Sequence, residues 1–287
     1  MISAPAHLVR LIRAGFVFAR EGVFGIIDPT VAPPGARPLL RMARLLERSA
    51  TGPAETRLSA ALTKLGPSYV KLGQFLATRP DVVGAALARD LESLQDRMPP
   101  FAQAEAEAAV AASFDKPVAA IFAGFGPPVA AASIAQVHRA IVATASGDRA
   151  VAVKILRPGV ERRFHADLAA FTFAARHGEN VSPEARRLRL VEVVDTLRRT
   201  VMVEMDFRLE AAAASEMAAN TREDAGFRVP TVDWDRTARE VLTLEWIDGI
   251  RDGWASHQIR PQTYAAGTWG PSAAIALTER DGVRWHD

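Results

Sequence analysis

A lysine set inside an apolar run is the first residue that asks for a chemical role. In "VAVKILRPGV" (151–160) strand alternation puts Val151, Val153 and Ile155 on one face and Ala152, Lys154 and Leu156 on the other. An ammonium on a covered face needs an anionic partner. Carboxylates follow in "EMDFRLEAA", which supplies Glu204, Asp206 and Glu210. Upstream, "PPVAAASIAQVH" carries the small residues Ala130, Ala131, Ala132 and Ser133 between a proline turn and a strand. Small side chains let a backbone come close to a ligand, and successive amides there could face phosphate oxygens. Downstream, "VLTLEWIDG" runs from an apolar strand into a polar turn, where Glu245 to Ile247 offer backbone groups to the edge of a base such as adenine. Taken singly, each feature also has a bland explanation: a snorkelling lysine, a packed alanine turn, a solvated helix face.

The elements that must position these residues can be read from periodicity. "DPTVAPPGARP" (28–38) is a proline-rich linker that closes a basic arm, 1–38, ahead of a helical region, 39–128. In that region "ETRLSAALTKL" ends at Gly66, and Pro67 opens "PSYVKLGQFLATR" as a first-turn proline. Leu87, Leu91 and Leu94 mark a further helix closed by "MPP" (98–100), and the alanine-rich segment 101–113 is another. Near residue 129 the period changes from 3.6 to 2. "SIAQVHRAIVAT" and "RAVAVKIL" then form a hairpin through Ser146-Gly147-Asp148. Helices are predicted at 160–176 and 183–222, the second burying Val191, Val194, Leu197 and Val201, followed by strands at "VPTVDW" and "REVLTLEWIDG". The fold class is α+β, with the sheet in 129–250. Residues 251–287 hold three of the five tryptophans and keep neither period.

Composition narrows the classes. With 49% hydrophobic and 24% charged residues the chain is that of a globular protein. The absence of cysteine excludes a disulfide framework, thiolate catalysis and cysteine-ligated metal, and fits an intracellular protein. A net charge of +2 does not argue for nucleic acid. The charge is uneven, however: Arg10, Arg13, Arg20, Arg37, Arg41, Arg44 and Arg48 make the first fifty residues basic. Arg10 and Arg13 interrupt what would be the apolar part of a signal peptide. Leu8, Ile12, Phe16 and Ala19 recur at helical spacing. The arm is therefore either an amphipathic helix packed on its own domain or one lying on an anionic membrane surface, where each arginine contributes ~1 kcal/mol.

Lysine strand, acidic helix, apolar strand and hinge follow one another as in the smaller lobe of protein kinases, where the lysine binds nucleotide phosphates and a helix carboxylate holds it. In "KLGQFLATRPD", Lys71 and Gln74 share a helical face opposite Leu72, Phe75 and Leu76. With this motif, "AAASIAQVH", "VAVK", "EMDFRLEAA" and "LEWIDG" in that order, residues from about 40 to 250 resemble the UbiB/aarF/ADCK family of atypical kinase-like proteins associated with ubiquinone biosynthesis. The resemblance implies a kinase-like small lobe with an N-terminal helical extension, binding ATP or ADP. It implies a KxGQ motif at Lys71 and Gln74, an alanine-rich nucleotide loop at Ala130 to Ser133, and a nucleotide-binding Lys154. It further implies an ExD motif at Glu204 and Asp206 that pairs with the KxGQ helix, and a hinge at Glu245 to Ile247. Ala135 stands where the family usually has glycine. Glu210 is the chosen carboxylate for Lys154, with Glu204 left open by spacing.

Phosphoryl transfer of this kind also needs a catalytic-loop aspartate, an asparagine and a metal-binding aspartate. None can be placed: His286-Asp287 near the end lacks the intervening residue and the groups beyond it. Mg²⁺ is expected for the family, but its ligands are not found. The large catalytic lobe is missing from this reading, and the tail reads as truncated or frame-shifted. The functional expectation is the ATP-binding part of a UbiB-type kinase or ATPase supporting ubiquinone biosynthesis. Its partners would be the biosynthetic enzymes and an anionic membrane, at the cytoplasmic face of an inner membrane. The rivals are a non-catalytic scaffold module and an inactive fragment.

Overall fold

The computed structural model describes residues 4–26, 37–47, 57–92, 94, 98–224, 227–248 and 277–278. In chain order the helices are α1 (Ala4–Arg20), α2 (Val23–Ile26), α3 (Arg37–Leu45), α4 (Arg57–Leu65), α5 (Pro67–Ala77), α6 (Pro80–Val83), α7 (Ala85–Glu92), α8 (Gln103–Phe114) and α9 (Val118–Ile121). Strands β1 (Gly124–Ala131), β2 (Ala135–Thr144) and β3 (Gly147–Leu156) follow. Helices α10 (Val160–Val181), α11 (Pro183–Leu188), α12 (Leu190–Glu204) and α13 (Phe207–Asn220) lead to β4 (Phe227–Arg228), β5 (Val241–Glu245) and β6 (Leu277–Thr278). Packing divides the chain into two units, one of residues 1–99, 131–134 and 159–201, the other of residues 100–130, 135–158 and 202–287.

The first unit is helical. Gly66 adopts φ 104°, and Pro67 opens α5, whose first turn needs no proline N–H. The last carbonyl of α4, that of Leu65, accepts from Arg163 Nη2 of α10 at 2.6 Å. Gly73 is required by packing: a β-carbon there would lie 2.4 Å from Leu94 Cδ1 and 2.7 Å from Leu62 Cδ1. Helix α1 is joined to α10 by Arg10 and the buried Asp167, at 2.7 Å. Tyr69 packs edge-on against Phe171, and burial, then Asp167, pushes its hydroxyl up to about 12. The orientation of α1 is unusual. Ala14 and Ala19 are buried and Arg10 turns inward, while Leu8, Val9, Ile12 and Phe16 are each more than half exposed.

The second unit is built on a four-stranded sheet of order β1-β2-β3-β5, in which β2–β3 and β3–β5 are antiparallel. On one face Ala140, Val142, Val151, Val153, Ile155 and Val241 pack with Ala106 and Val110 of α8 and with Ile121 and Phe122. The alternation read in the sequence holds, with Val151, Val153 and Ile155 fully buried on this face. Gln136 and His138 share it. Gln136 Oε1 accepts from Phe101 N–H at 2.9 Å, and its Nε2 lies 2.8 Å from His138 Nε2. His138 Nδ1 lies 2.8 Å from the Gly126 carbonyl, so the consistent assignment is a neutral ring donating from Nδ1 and accepting at Nε2.

Three expectations change. Residues 124–131 form an edge strand, so Ala130 and Ala131 end β1 and only Ala132 to Ile134 link it to β2. An edge strand leaves one row of N–H groups unpaired, so one of the adjacent Pro127 and Pro128 gives up no ladder bond there. The helix expected over 183–222 is three helices: Arg189 turns left-handed at φ 52°, and Asp206 breaks the chain again as the N-cap of α13. "VPTVDW" is not a strand. It contains one bridge, Val232 to Leu244, and leads into a 3-10 turn at Trp234–Arg236. Most of the linker 28–38 and of the tail 251–287, including His286-Asp287, lies outside the described residues.

Candidate functional site

The face of the sheet opposite the core carries Val137 and Arg139 on β2, Ala152 and Lys154 on β3, and Leu244 on β5. These residues are only partly covered, apart from the exposed Arg139, whereas Leu242, opposite Lys154 on β5, is fully buried on the same face. Lys154 Nζ donates to both carboxylate oxygens of Glu210, each at 2.8 Å. The same ammonium lies 4.8 Å from the centre of the Phe207 ring, a cation–π contact. Side-chain exposure is 15% for Lys154 and 25% for Glu210, so the pair is largely but not wholly withdrawn from water.

The chain holds this pair through a helix break. Glu204 is the last residue of α12, and Met205 and Phe207 are fully buried on either side of Asp206. The Asp206 carboxylate accepts from Arg208 N–H at 3.2 Å, capping α13. Arg208 then grips it with Nε and Nη2 at 2.9 and 2.6 Å and holds its carboxyl below the ordinary value. Glu210 thereby falls in the first turn of α13, where a negative charge suits the helix dipole.

Of the two carboxylates left open by spacing, Glu210 is the one that receives Lys154. The Glu245 side chain turns to Arg228 and to Thr231, away from the Lys154 face. The backbone N–H groups of Glu245 and Trp246 are taken by Thr231 O and Ala150 O, and among the described residues no backbone carbonyl takes the Ile247 N–H. Ser133 is fully buried. Ala131, Ala132, Ser133, Lys71 and Gln74 belong to the helical unit, where Lys71 is 4% exposed and Gln74 half-buried.

Sequence reasoning did not find Phe207 beneath the ammonium, nor the pairing of Arg139 with Trp246, whose guanidinium carbon lies 5.2 Å from the ring centre. It also passed over Gln136 and His138. Two polar residues two apart on a strand face otherwise apolar were the available signal.

Among the described residues no group of three histidine or acidic side chains could hold a metal ion, and both oxygens of Glu210 are engaged by Lys154. These residues therefore do not fit Mg²⁺. They do fit a phosphate: an ammonium has three N–H donors and Glu210 takes two.

Comparison with known proteins agrees with this geometry. Residues 93–257 match the model of the ABC1 atypical kinase-like domain. The chain is 42% identical over 195 residues to a probable protein kinase UbiB of Marinobacter nauticus, covering 68% of this chain and 35% of that one. It is 37% identical over 243 residues to that of Cellvibrio japonicus, covering 84% and 43%. For the Azotobacter vinelandii protein of the same name the figures are 40% over 207 residues, 72% and 38%. The chain thus spans about two fifths of the length of the curated relatives it matches. A lysine strand, a carboxylate helix and an apolar strand in kinase-lobe order, within a match that takes in more than half of the residues, show that the chain belongs to the ABC1 atypical kinase-like family.

Proposed function

We propose that this chain is the nucleotide-binding part of a UbiB-type atypical kinase or ATPase that supports ubiquinone biosynthesis. The observation that carries the proposal is the Lys154–Glu210 pair on the sheet face opposite the core. Such a pair is the small-lobe device that meets nucleotide phosphates in kinases. Lys154 would neutralise phosphate charge with its remaining donor. Glu210 fixes the ammonium, and the Phe207 ring packs against it with its centre 4.8 Å away. Ala152 leaves room for a flat base, whose edge would meet the Ile247 amide. Ala130 to Ser133 would approach the phosphates through their backbone, and Lys71, Gln74, Glu204 and Asp206 would regulate the site as the resemblance implies.

A second part of the proposal is peripheral attachment to an anionic membrane surface, the setting in which a quinone precursor is met. No helix among the described residues is long and apolar enough to cross a membrane. The outward face of α1 supports attachment: it is apolar, and α3 adds Met42 and Leu45, 59% and 85% exposed. The two acidic residues described in this segment, Glu21 and Glu47, are paired with Lys64 and Arg57, so they do little to offset its arginines.

The nucleotide reading is tested by titrating the 287-residue chain with a ribose-labelled fluorescent ADP. Saturable binding that Lys154→Ala abolishes, with an unchanged far-ultraviolet spectrum, supports it. Equal binding by wild type and variant overturns it.

A further inference from the structure

The Arg139–Trp246 contact crosses the site just described. Strands β2 and β5 are not neighbours; both pair with β3, which places them about 9.5 Å apart. Arg139 lies opposite Ala152, and Ala152 opposite Leu244. Trp246 N–H donates to Ala150 O at 3.3 Å, which carries the ladder one step past β5. An arginine of β2 that stacks on this indole must therefore pass over β3, above Ala150 and Ala152. Lys154 lies two residues farther along the same face, about 6.6 Å away. A nucleotide with its phosphates at Lys154 would direct its base into the space this arginine spans.

We infer that Arg139 and Trp246 form an internal cover over the base end of the nucleotide site, one that the base displaces on binding. The inference rests on the nucleotide reading above. The displaced guanidinium has a second resting place. An open cleft of about 650 Å³ borders the pair and is lined by Arg139, Asp148, Arg149, Glu245, Trp246 and Asp248, so three carboxylates line the space it would swing into. Asp248 already accepts from Trp246 Nε1 at 2.7 Å. Because the closed and open arrangements differ only in where one exposed side chain rests, the cover lowers nucleotide affinity by the fraction of time it is closed.

The test compares the labelled ADP titration in the wild type, Arg139→Ala and Lys154→Ala, each as the full 287-residue chain. Arg139 is exposed, so its replacement leaves folding intact. The expected result is binding about two- to fivefold tighter in Arg139→Ala, the fold-change equivalent of losing one exposed cation–π contact. Adding unlabelled ADP should also change tryptophan emission in the wild type and not in Trp246→Leu. Unchanged or weaker binding by Arg139→Ala, with Lys154→Ala still defective, overturns the cover alone. Failure of both wild type and Arg139→Ala to bind overturns the cover together with the nucleotide reading.

Discussion

The Lys154–Glu210 pair makes an asymmetric prediction about stability. In Glu210→Gln the ammonium, 15% exposed, loses its counter-charge and keeps a neutral amide oxygen and the Phe207 ring as partners. A cation–π contact returns about 0.5–2 kcal/mol, whereas uncovering one member of a fully buried pair costs about 3–5 kcal/mol. The remaining exposure reduces that penalty, so Glu210→Gln is expected to cost about 1.5–3 kcal/mol. In Lys154→Met the carboxylate left behind is 25% exposed and lies in the first turn of α13. The helix dipole offsets about 0.3–1 kcal/mol there, and methionine retains much of the lysine's apolar packing. The expected cost is about 0.5–1.5 kcal/mol. Urea unfolding followed by circular dichroism on both variants and the double variant gives the coupling energy directly. It should be about 1–2 kcal/mol, with Glu210→Gln the more damaging single change. Coupling near zero, or the reverse order of the single variants, would refute the claim that the pair is withdrawn from water and held mainly by its own charges.

Further outcomes follow from other parts of the molecule. Burial holds the His138 imidazole below its ordinary 6.5, with the Gly126 carbonyl opposing that shift. The unfolded chain therefore binds the proton first, and this contribution to stability, complete above about 6.5, is lost as pH falls from there toward the lowered folded value. The urea midpoint of the wild type should drop more between pH 7 and pH 5.5 than that of His138→Gln; parallel profiles would contradict the neutral assignment. Two helical glycines should respond in opposite directions. Gly15→Ala meets no atom within 4 Å and should stabilise by about 0.4–1 kcal/mol, while Gly73→Val presses on buried leucines and should cost about 1–3 kcal/mol, both read by thermal melting. Replacing Ile12 and Phe16 together by serine should weaken sedimentation with vesicles of anionic phospholipid several-fold and leave binding to neutral vesicles unchanged. Equal sedimentation would remove the α1 face from the proposal.

The hairpin of β2 and β3 was legible because alternation, a Gly-containing turn and β-branched residues all agree on it. The lysine's need for a partner could be stated from desolvation alone, but the choice between Glu204 and Glu210 could not. That choice depends on Asp206 ending one helix and starting another, and a continuous helical pattern across 183–222 concealed the break. The same concealment affected β1, whose paired prolines read as a turn because an edge position is a property of the sheet rather than of the segment. Helix α1 was legible as amphipathic, but not which way it faces. Helical spacing fixes a stripe, and Asp167, more than 150 residues away, pairs with Arg10 on the inner side, which leaves Leu8, Ile12 and Phe16 outside while Ala19 is buried.

The two packing units are threaded through one another along the chain, which passes between them after residues 99, 130, 134, 158 and 201. No single cut separates them. A fragment ending anywhere before residue 201 lacks part of the helical unit, and one beginning after residue 100 lacks most of it. On a ribosome the lysine strand emerges about fifty residues before the helix that carries its carboxylate, so during synthesis Lys154 waits for its partner while α10 to α12 are still being made. Expression of the sheet region alone should therefore yield a chain that seeks chaperones rather than a small lobe ready for ligand.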